Sequence, residues 1–138
     1  MYLTVNVLIE SNEGDEALVE RVLHIDRESD GYVSINVTKH KALPEWRTLS
    51  LLKGELDGGT TRILRHDPWL AVARDDAELT EAERTGRDRA WKVIEAIVTA
   101  GPEKVFDRKE RGRLIAQVME QGLATKPTIY LYLYRYWQ

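Results

Sequence analysis

The stretch "DRKERGRLIAQVMEQGLATKPTIYLYLYRYWQ", residues 107–138, decides the architecture of the second half of the chain. Asp107 followed by Glu110 is a helix-start pattern, because the first side chain can accept a hydrogen bond from the backbone amide three residues later. Apolar periodicity then predicts one helix that ends at Gly122 and a second helix that tolerates Pro127 in its first turn. The side chains predicted to pack inward are Leu114, Ile115, Val118 and Met119 in the first helix, and Ile129, Tyr132, Leu133 and Tyr136 in the second.

Another helix is predicted before this pair. Thr80 followed by Glu83 repeats the start pattern, and the apolar periodicity that follows stops at "AGP", residues 100–102. Its inward stripe comprises Ala90, Trp91, Ile94, Ile97 and Val98. The sequence therefore predicts three helices over residues 80–138, and the last two, joined by a short turn that contains glycine, form a helix-turn-helix.

The first half of the chain predicts β-strands instead. The stretch "YLTVNVLIE", residues 2–10, alternates apolar and polar side chains as a half-buried strand does. Two further apolar runs, residues 18–26 and 31–38, flank a turn at Asp30 and Gly31, where left-handed backbone is readily adopted. These two runs predict a hairpin.

One helix is expected within the first half. Leu43, Trp46 and Leu49 recur at helical spacing, and "DGG" at residues 57–59 ends the pattern. Residues 60–79 contain a proline and an acidic polar run, so part of this segment is predicted to be a linker.

Together these patterns predict an α+β protein. A small strand-rich module with one helix occupies residues 1–79, and a three-helix module with the helix-turn-helix occupies residues 80–138. The first module carries 9 basic and 15 acidic residues, a net charge of −6, whereas the second carries 11 and 8, a net charge of +3. Only the second module has the sign of charge that nucleic acid attracts.

The composition excludes several classes of protein. The 138 residues contain no cysteine, which excludes disulfides and thiolate catalysis, and the three scattered histidines do not suggest a zinc site. No apolar run approaches the roughly 18 residues of a membrane span, and the amino terminus does not resemble a secretory signal. We therefore expect a cytoplasmic protein with no membrane partner, and no metal site or catalytic residues in this chain.

The helix-turn-helix pattern predicts where duplex DNA would bind. The amino end of its second helix has free backbone amides and the positive end of the helix dipole, which favour phosphate. Outward residues of that helix can reach base edges or phosphates, and basic residues of the preceding helix can contact the DNA backbone. The predicted DNA-binding residues are Lys126, Thr128, Tyr130, Leu131, Tyr134 and Arg135 in the second helix, and Arg108, Arg111 and Arg113 in the preceding one.

Three blocks of sequence resemble a known family. They are "RDRAWKVIEAIV", residues 87–98, "FDRKERGRLIAQVMEQG", residues 106–122, and "KPTIYLYLYRYWQ", residues 126–138. Their order and spacing resemble the amino-terminal DNA-binding region of the TnsB/TniA-type transposases, which are relatives of Mu transposase and of the integrase superfamily. The resemblance extends more loosely over the leading module.

This resemblance implies a function for the chain. It implies sequence-specific binding of double-stranded DNA at transposon ends, with other transposition proteins as further partners and oligomers only in a DNA complex. In that family the catalytic core has an RNase H-like fold with three carboxylates that bind divalent metal, and it lies further downstream. The resemblance therefore implies that the chain is a fragment that binds DNA without catalysing a reaction, and that it holds no cofactor. Leu131 stands where the family tends to have a basic residue, which implies fewer phosphate contacts from that position.

Two alternatives stay open at the level of sequence. One is a protein-interaction or assembly module of the transposition machinery, which the acidic first half favours because it would face a basic partner. The other is an unrelated helix-turn-helix transcriptional regulator.

Overall fold

Residues 3–13, 16–64 and 80–138 are described by the computed structural model of the chain. They divide into two units, one of residues 3–64 with 137–138 and one of residues 80–136. The α+β fold class is confirmed.

The first unit is built on an antiparallel sheet with the strand order β4-β3-β2-β1-β5. The predicted hairpin is confirmed, because Asp26 pairs with Gly31 across a turn in which Asp30 adopts the left-handed conformation, φ 58°. The elements are β1 Leu8–Glu13, β2 Glu16–Asp26, β3 Gly31–Asn36, β4 Glu45–Thr48, α1 Leu49–Asp57 and β5 Thr61–Ile63.

The first predicted strand begins later than its alternating pattern suggests. A turn at residues 5–6, in which Asn6 has a φ of 76°, interrupts the expected strand, although the Asn6 amide still donates to the carbonyl of Val22 at 2.7 Å. Asparagine tolerates this left-handed conformation better than most residues. The prediction of one strand through Leu3 and Val5 is therefore wrong, and the regular strand β1 starts at Leu8.

The predicted helix of the first half is also shorter than expected. Its first residues form β4, in which Trp46 pairs with Val33, and α1 begins only at Leu49. The reason is a distant cap: Asp30, in the hairpin turn, accepts hydrogen bonds from the Ser50 amide at 3.0 Å and from the Ser50 hydroxyl at 2.6 Å. A cap at that place fixes the start of the helix.

The segment predicted to be partly linker contributes a strand. Within residues 60–79, Thr61–Ile63 form β5, which pairs with β1 through Ser11, Glu10 and Ile9. The remainder of the expected linker, residues 65–79, lies outside the described part of the chain. The module boundary expected at residue 79 therefore stays a prediction.

The second unit contains the three predicted helices and one additional short helix. The two predicted start signals are confirmed, since Thr80 Oγ1 accepts from the Glu83 amide at 3.1 Å and Asp107 Oδ2 accepts from the Glu110 amide at 2.9 Å. The additional helix follows Gly101, which has a φ of 107°. The helices are α2 Glu81–Val98, α3 Pro102–Val105, α4 Arg108–Glu120 and α5 Lys126–Trp137.

The apolar core of this unit follows helical spacing. Ile129 and Leu133 are fully buried as predicted, but Tyr136, which is expected inside, is exposed. Met119 is also expected inside and is exposed instead. The buried side chains of this unit are Val93, Ile94, Ile97, Val105, Arg111, Ile115, Val118, Ile129 and Leu133. No helix among the described residues combines the length and apolar character needed to cross a bilayer.

Candidate nucleic-acid interface

The turn between α4 and α5 is closed by backbone hydrogen bonds. The Gly122 amide donates to the carbonyl of Met119 at 3.0 Å, and Gly122 has the positive φ, 72°, that ends a helix most easily when the residue is glycine. At the start of α5 the Ile129 amide donates to the Thr125 carbonyl at 3.0 Å. The Thr125 hydroxyl donates to the Thr128 hydroxyl at 3.1 Å. The predicted order of a helix, a short turn that contains glycine and a second helix is therefore present.

One side of α5 is buried and the opposite side is exposed. Ile129 and Leu133 are four residues apart and fully buried, so the residues about half a turn away face solvent. Leu131 and Arg135 lie on that opposite side and are exposed, with Leu131 at 41%, and Lys126 is exposed at the amino end of the helix. These three residues together are called the outer face of α5.

Two tyrosines flank the outer face. The rings of Tyr130 and Tyr134 lie with their centroids 5.8 Å apart at an angle of 31°, and both side chains are half-buried. Burial, followed by the neighbouring Tyr130, raises the pKa of Tyr134, while the positive charge of Arg111 acts in the opposite direction. Tyr134 is therefore a neutral phenol at physiological pH, able both to donate and to accept a hydrogen bond. Thr128 is half-buried at the amino end of the same helix.

The basic start of α4 is divided between exposed and buried side chains. Arg108 and Arg113 are exposed, and Arg113 Nη1 lies 3.0 Å from Glu110 Oε1, one helical turn away. An exposed ion pair of this kind contributes about 0.5 kcal/mol or less, so it does not prevent Arg113 from moving to another anion. Lys109, which follows Arg108 in the sequence, is exposed too and adds a third cation to this part of α4.

Arg111 is also predicted to contact DNA, but the structure buries its side chain. Its side chain is 2% exposed, and Nη1 donates to the Val105 carbonyl at the end of α3 at 3.1 Å. Position 111 precedes the buried Ile115 by four residues, so it lies on the inner stripe of α4. Arg111 therefore joins α4 to the end of α3 instead of reaching a ligand.

The charged side chains of α5 and of the turn before it are of one sign. Residues 121–138 contain Lys126 and Arg135 and no aspartate or glutamate. The first turn of α5 has no acidic side chain to compete for its free amides. This end of the chain can therefore accept an anion at the start of α5 and along its outer face. Among the described residues, no three histidine, aspartate or glutamate side chains are grouped as metal ligands would be.

Comparison with known proteins supports the family resemblance. Residues 87–138 match the family model described as the TnsB second domain. The chain is also 30% identical, over 120 residues, to the transposon Tn7 transposition protein TnsB of Escherichia coli. The resemblance to the amino-terminal region of TnsB-type transposases is confirmed. The alignment includes 86% of this chain but only 16% of the Tn7 TnsB sequence.

The TnsB match and the helix-turn-helix coincide along the chain. The matched residues 87–138 include all of α3, α4 and α5 and most of α2. The alignment with Tn7 TnsB is longer than this domain, so it also includes part of the sheet unit. Every residue predicted to bind DNA lies within the TnsB second-domain match.

Proposed function

We propose that this chain is the DNA-binding region of a TnsB-type transposase and recognises the end repeats of a transposable element as double-stranded DNA. The observation that carries the proposal is the coincidence of the TnsB second-domain match, residues 87–138, with a helix-turn-helix whose last helix exposes Lys126 and Arg135. In a helix-turn-helix the second helix is the one that enters the major groove.

The outer face of α5 has the chemistry for two kinds of contact. Lys126 and Arg135 are placed to contact phosphates or guanine edges, and Leu131 between them offers an apolar contact such as the methyl group of thymine. Thr128 and the phenols of Tyr130 and Tyr134 can hydrogen-bond to phosphates or bases from the flank. The exposed Arg108, Lys109 and Arg113 of α4 supply contacts to the DNA backbone.

In this proposal the chain itself performs no reaction. Strand cleavage and joining belong to a catalytic core elsewhere in the longer protein, and the divalent metal belongs to that core. Other copies assemble with this chain only on DNA, and other transposition proteins are further partners. The match to only 16% of Tn7 TnsB supports this division of labour.

Selection from a pool of random 20-base-pair duplexes tests the proposal. We expect one sequence to be enriched and to bind the chain roughly 10³-fold more tightly than a scrambled duplex of the same composition. Failure of the folded chain to enrich any sequence would contradict sequence-specific recognition. Equally strong binding to all duplexes would show that the chain binds the phosphate backbone without recognising a sequence.

A further inference from the structure

A cavity of about 290 Å³ lies in the sheet unit, between α1 and the part of the sheet that this short helix leaves uncovered. Residues directly opposite each other on paired strands point to the same face of a sheet, and the pairs Ile9 with Glu20 and Tyr32 with Arg47 place these side chains on the face that α1 covers. The cavity is lined by Ile9, Leu18, Glu20, Tyr32, Leu52 and Glu55, among others.

The Tyr32 hydroxyl in this lining lacks an internal partner. Tyr32 is only 4% exposed, and its hydroxyl makes no hydrogen bond to any residue in the described part of the chain. Burial, followed by the Glu20 carboxylate, raises the pKa of Tyr32 to about 12, so the phenol remains neutral. The Tyr32 hydroxyl is not among the fully buried polar atoms of the described residues, so solvent reaches it from the cavity and it can hydrogen-bond to a ligand there.

In the described part of the chain, one oxygen of the Glu20 carboxylate has partners and the other accepts no hydrogen bond. Its Oε2 accepts the Ser34 hydroxyl at 2.7 Å and lies 3.2 Å from Arg47 Nη2, while its Oε1 accepts no hydrogen bond from the described residues. Glu55 adds a second carboxylate, and its Oε2 accepts the Thr61 hydroxyl at 3.2 Å. Glu20, Glu55 and Arg47 together leave the cavity with a net charge of −1.

We propose that this cavity receives a lysine or arginine side chain of a partner protein. Ile9, Leu18 and Leu52 provide apolar walls for the methylene groups, and the carboxylates and the Tyr32 hydroxyl provide acceptors for the cationic head group. The volume is near the lower limit of about 300 Å³ for ligand pockets, which suits a single side chain.

The acidic charge of the first module and an exposed leucine beside the cavity both favour a protein side chain as the occupant. The net charge of −6 over residues 1–79 attracts a basic partner and repels DNA. Leu51, in the same lining, is 66% exposed, and it offers an apolar contact that a free cation could not use. The sheet unit thus binds protein independently of DNA recognition by the helical unit.

Titration of the ¹⁵N-labelled chain with N-acetyl-arginine amide and N-acetyl-lysine amide tests the site by NMR. We expect saturable shifts of the backbone amides of Glu20, Tyr32, Leu52 and Glu55, with a Kd on the order of millimolar for ligands of about fifteen heavy atoms. N-acetyl-norleucine amide is the uncharged control and should leave these amides unshifted. Equal shifts with norleucine amide, or no saturable shifts with any of the three, would overturn the proposal.

Variants locate the binding within the cavity. Tyr32→Phe removes a hydroxyl that no described residue uses, so it should retain the stability of the parent and bind the arginine probe several-fold more weakly. Glu20→Gln should weaken binding at least about tenfold, and if it fails to fold, Glu55→Gln gives the same test on an exposed residue. The matched control is Glu45→Gln, which removes an exposed carboxylate that also pairs with Arg47 and should bind as the parent does.

The outcome is independent of DNA recognition. If Tyr32→Phe and Glu55→Gln both bind the probe as tightly as the parent, the cavity is not the site. The same variants should bind duplex DNA unchanged, so a failure of this site and a failure of the proposed DNA function are distinguishable.

Discussion

A buried carboxylate of the sheet unit and a buried arginine of the helical unit are used differently. In the sheet unit Glu20 is buried but lines a cavity, with one carboxylate oxygen held by Ser34 and Arg47. In the helical unit Arg111 is buried and donates to the Val105 carbonyl, so it serves the packing of helices. The comparison teaches that the sign of a charge does not identify a binding residue until its burial and its partners are known.

The largest effect is expected from a substitution on the buried side of α5. Leu133→Ala should lower the free energy of unfolding by about 2–5 kcal/mol, because Leu133 is fully buried and its removal leaves a cavity. The control, Leu131→Ala on the outer face, should stay within about 0.5 kcal/mol. Chemical denaturation followed by circular dichroism measures both, and equal effects would contradict the assignment of inner and outer sides.

The next largest effect separates the two arginines of α4. Arg111→Ala should cost about 1–3 kcal/mol, because it leaves the Val105 carbonyl without its buried donor, whereas Arg113→Ala should cost about 0.5 kcal/mol or less. The order should reverse on DNA, where Arg113→Ala lowers the salt dependence of log Kd by about 0.9 per lost phosphate contact. A stability loss at Arg113 as large as that at Arg111 would show that the exposed ion pair matters more than its geometry indicates.

Removal of a helix-capping side chain should lower the free energy of unfolding by about 1 kcal/mol in either unit. The sheet unit caps α1 with Asp30, which is twenty residues away in sequence, and the helical unit caps α4 with the adjacent Asp107. Asp30→Gly keeps the left-handed turn and removes only the cap, so it should cost about as much as Asp107→Ala. Because serine also caps helices, Asp107→Ser should retain most of the stability in thermal unfolding. A loss of stability in Asp107→Ser as large as that in Asp107→Ala would contradict the capping explanation.

A further prediction is the pH dependence that Tyr32 gives to the stability of the sheet unit. The pKa of Tyr32 is raised from 10.0 to about 12 in the folded protein, so folding favours the protonated phenol. Its contribution to stability is complete below pH 10 and is lost as the pH rises from 10 to about 12. The urea midpoint of the parent should therefore fall more steeply across this window than that of Tyr32→Phe. Parallel curves for the two proteins would contradict the burial of this phenol.

Local sequence signals predicted the helical unit better than the sheet unit. The Thr80 and Asp107 caps and the Asp30 turn involve residues close in sequence, and the structure confirms them. By contrast, β4 exists because it pairs with β3, and the start of α1 depends on a cap from a distant turn. Those interactions form only once the chain has folded.

Helical spacing alone predicts which side chains of α4 and α5 are exposed in the candidate DNA interface, whereas charge alone misleads. Leu131 and Arg135 are exposed, as their positions opposite Ile129 and Leu133 on α5 indicate, and Lys126 is exposed at the amino end of the helix. Arg111 occupies a position four residues before Ile115, which already placed it on the inner stripe, but its charge suggested a surface role. The cavity beside Tyr32 was not predictable, because its lining comes from five strands and α1, which only the folded sheet brings together.

The salt dependence of DNA binding tests the central claim, that the outer face of α5 contacts DNA, most directly. Fluorescence anisotropy with the selected duplex at 50–200 mM salt would compare the parent with Lys126→Ala/Arg135→Ala and with Lys39→Ala/Lys53→Ala, which removes two charges from exposed residues of the sheet unit. We predict that the α5 variant binds at least about tenfold more weakly and that its log–log salt slope is smaller by nearly two, at about 0.9 per phosphate contact, while the control resembles the parent. A folded α5 variant with the affinity and slope of the parent would contradict the claim.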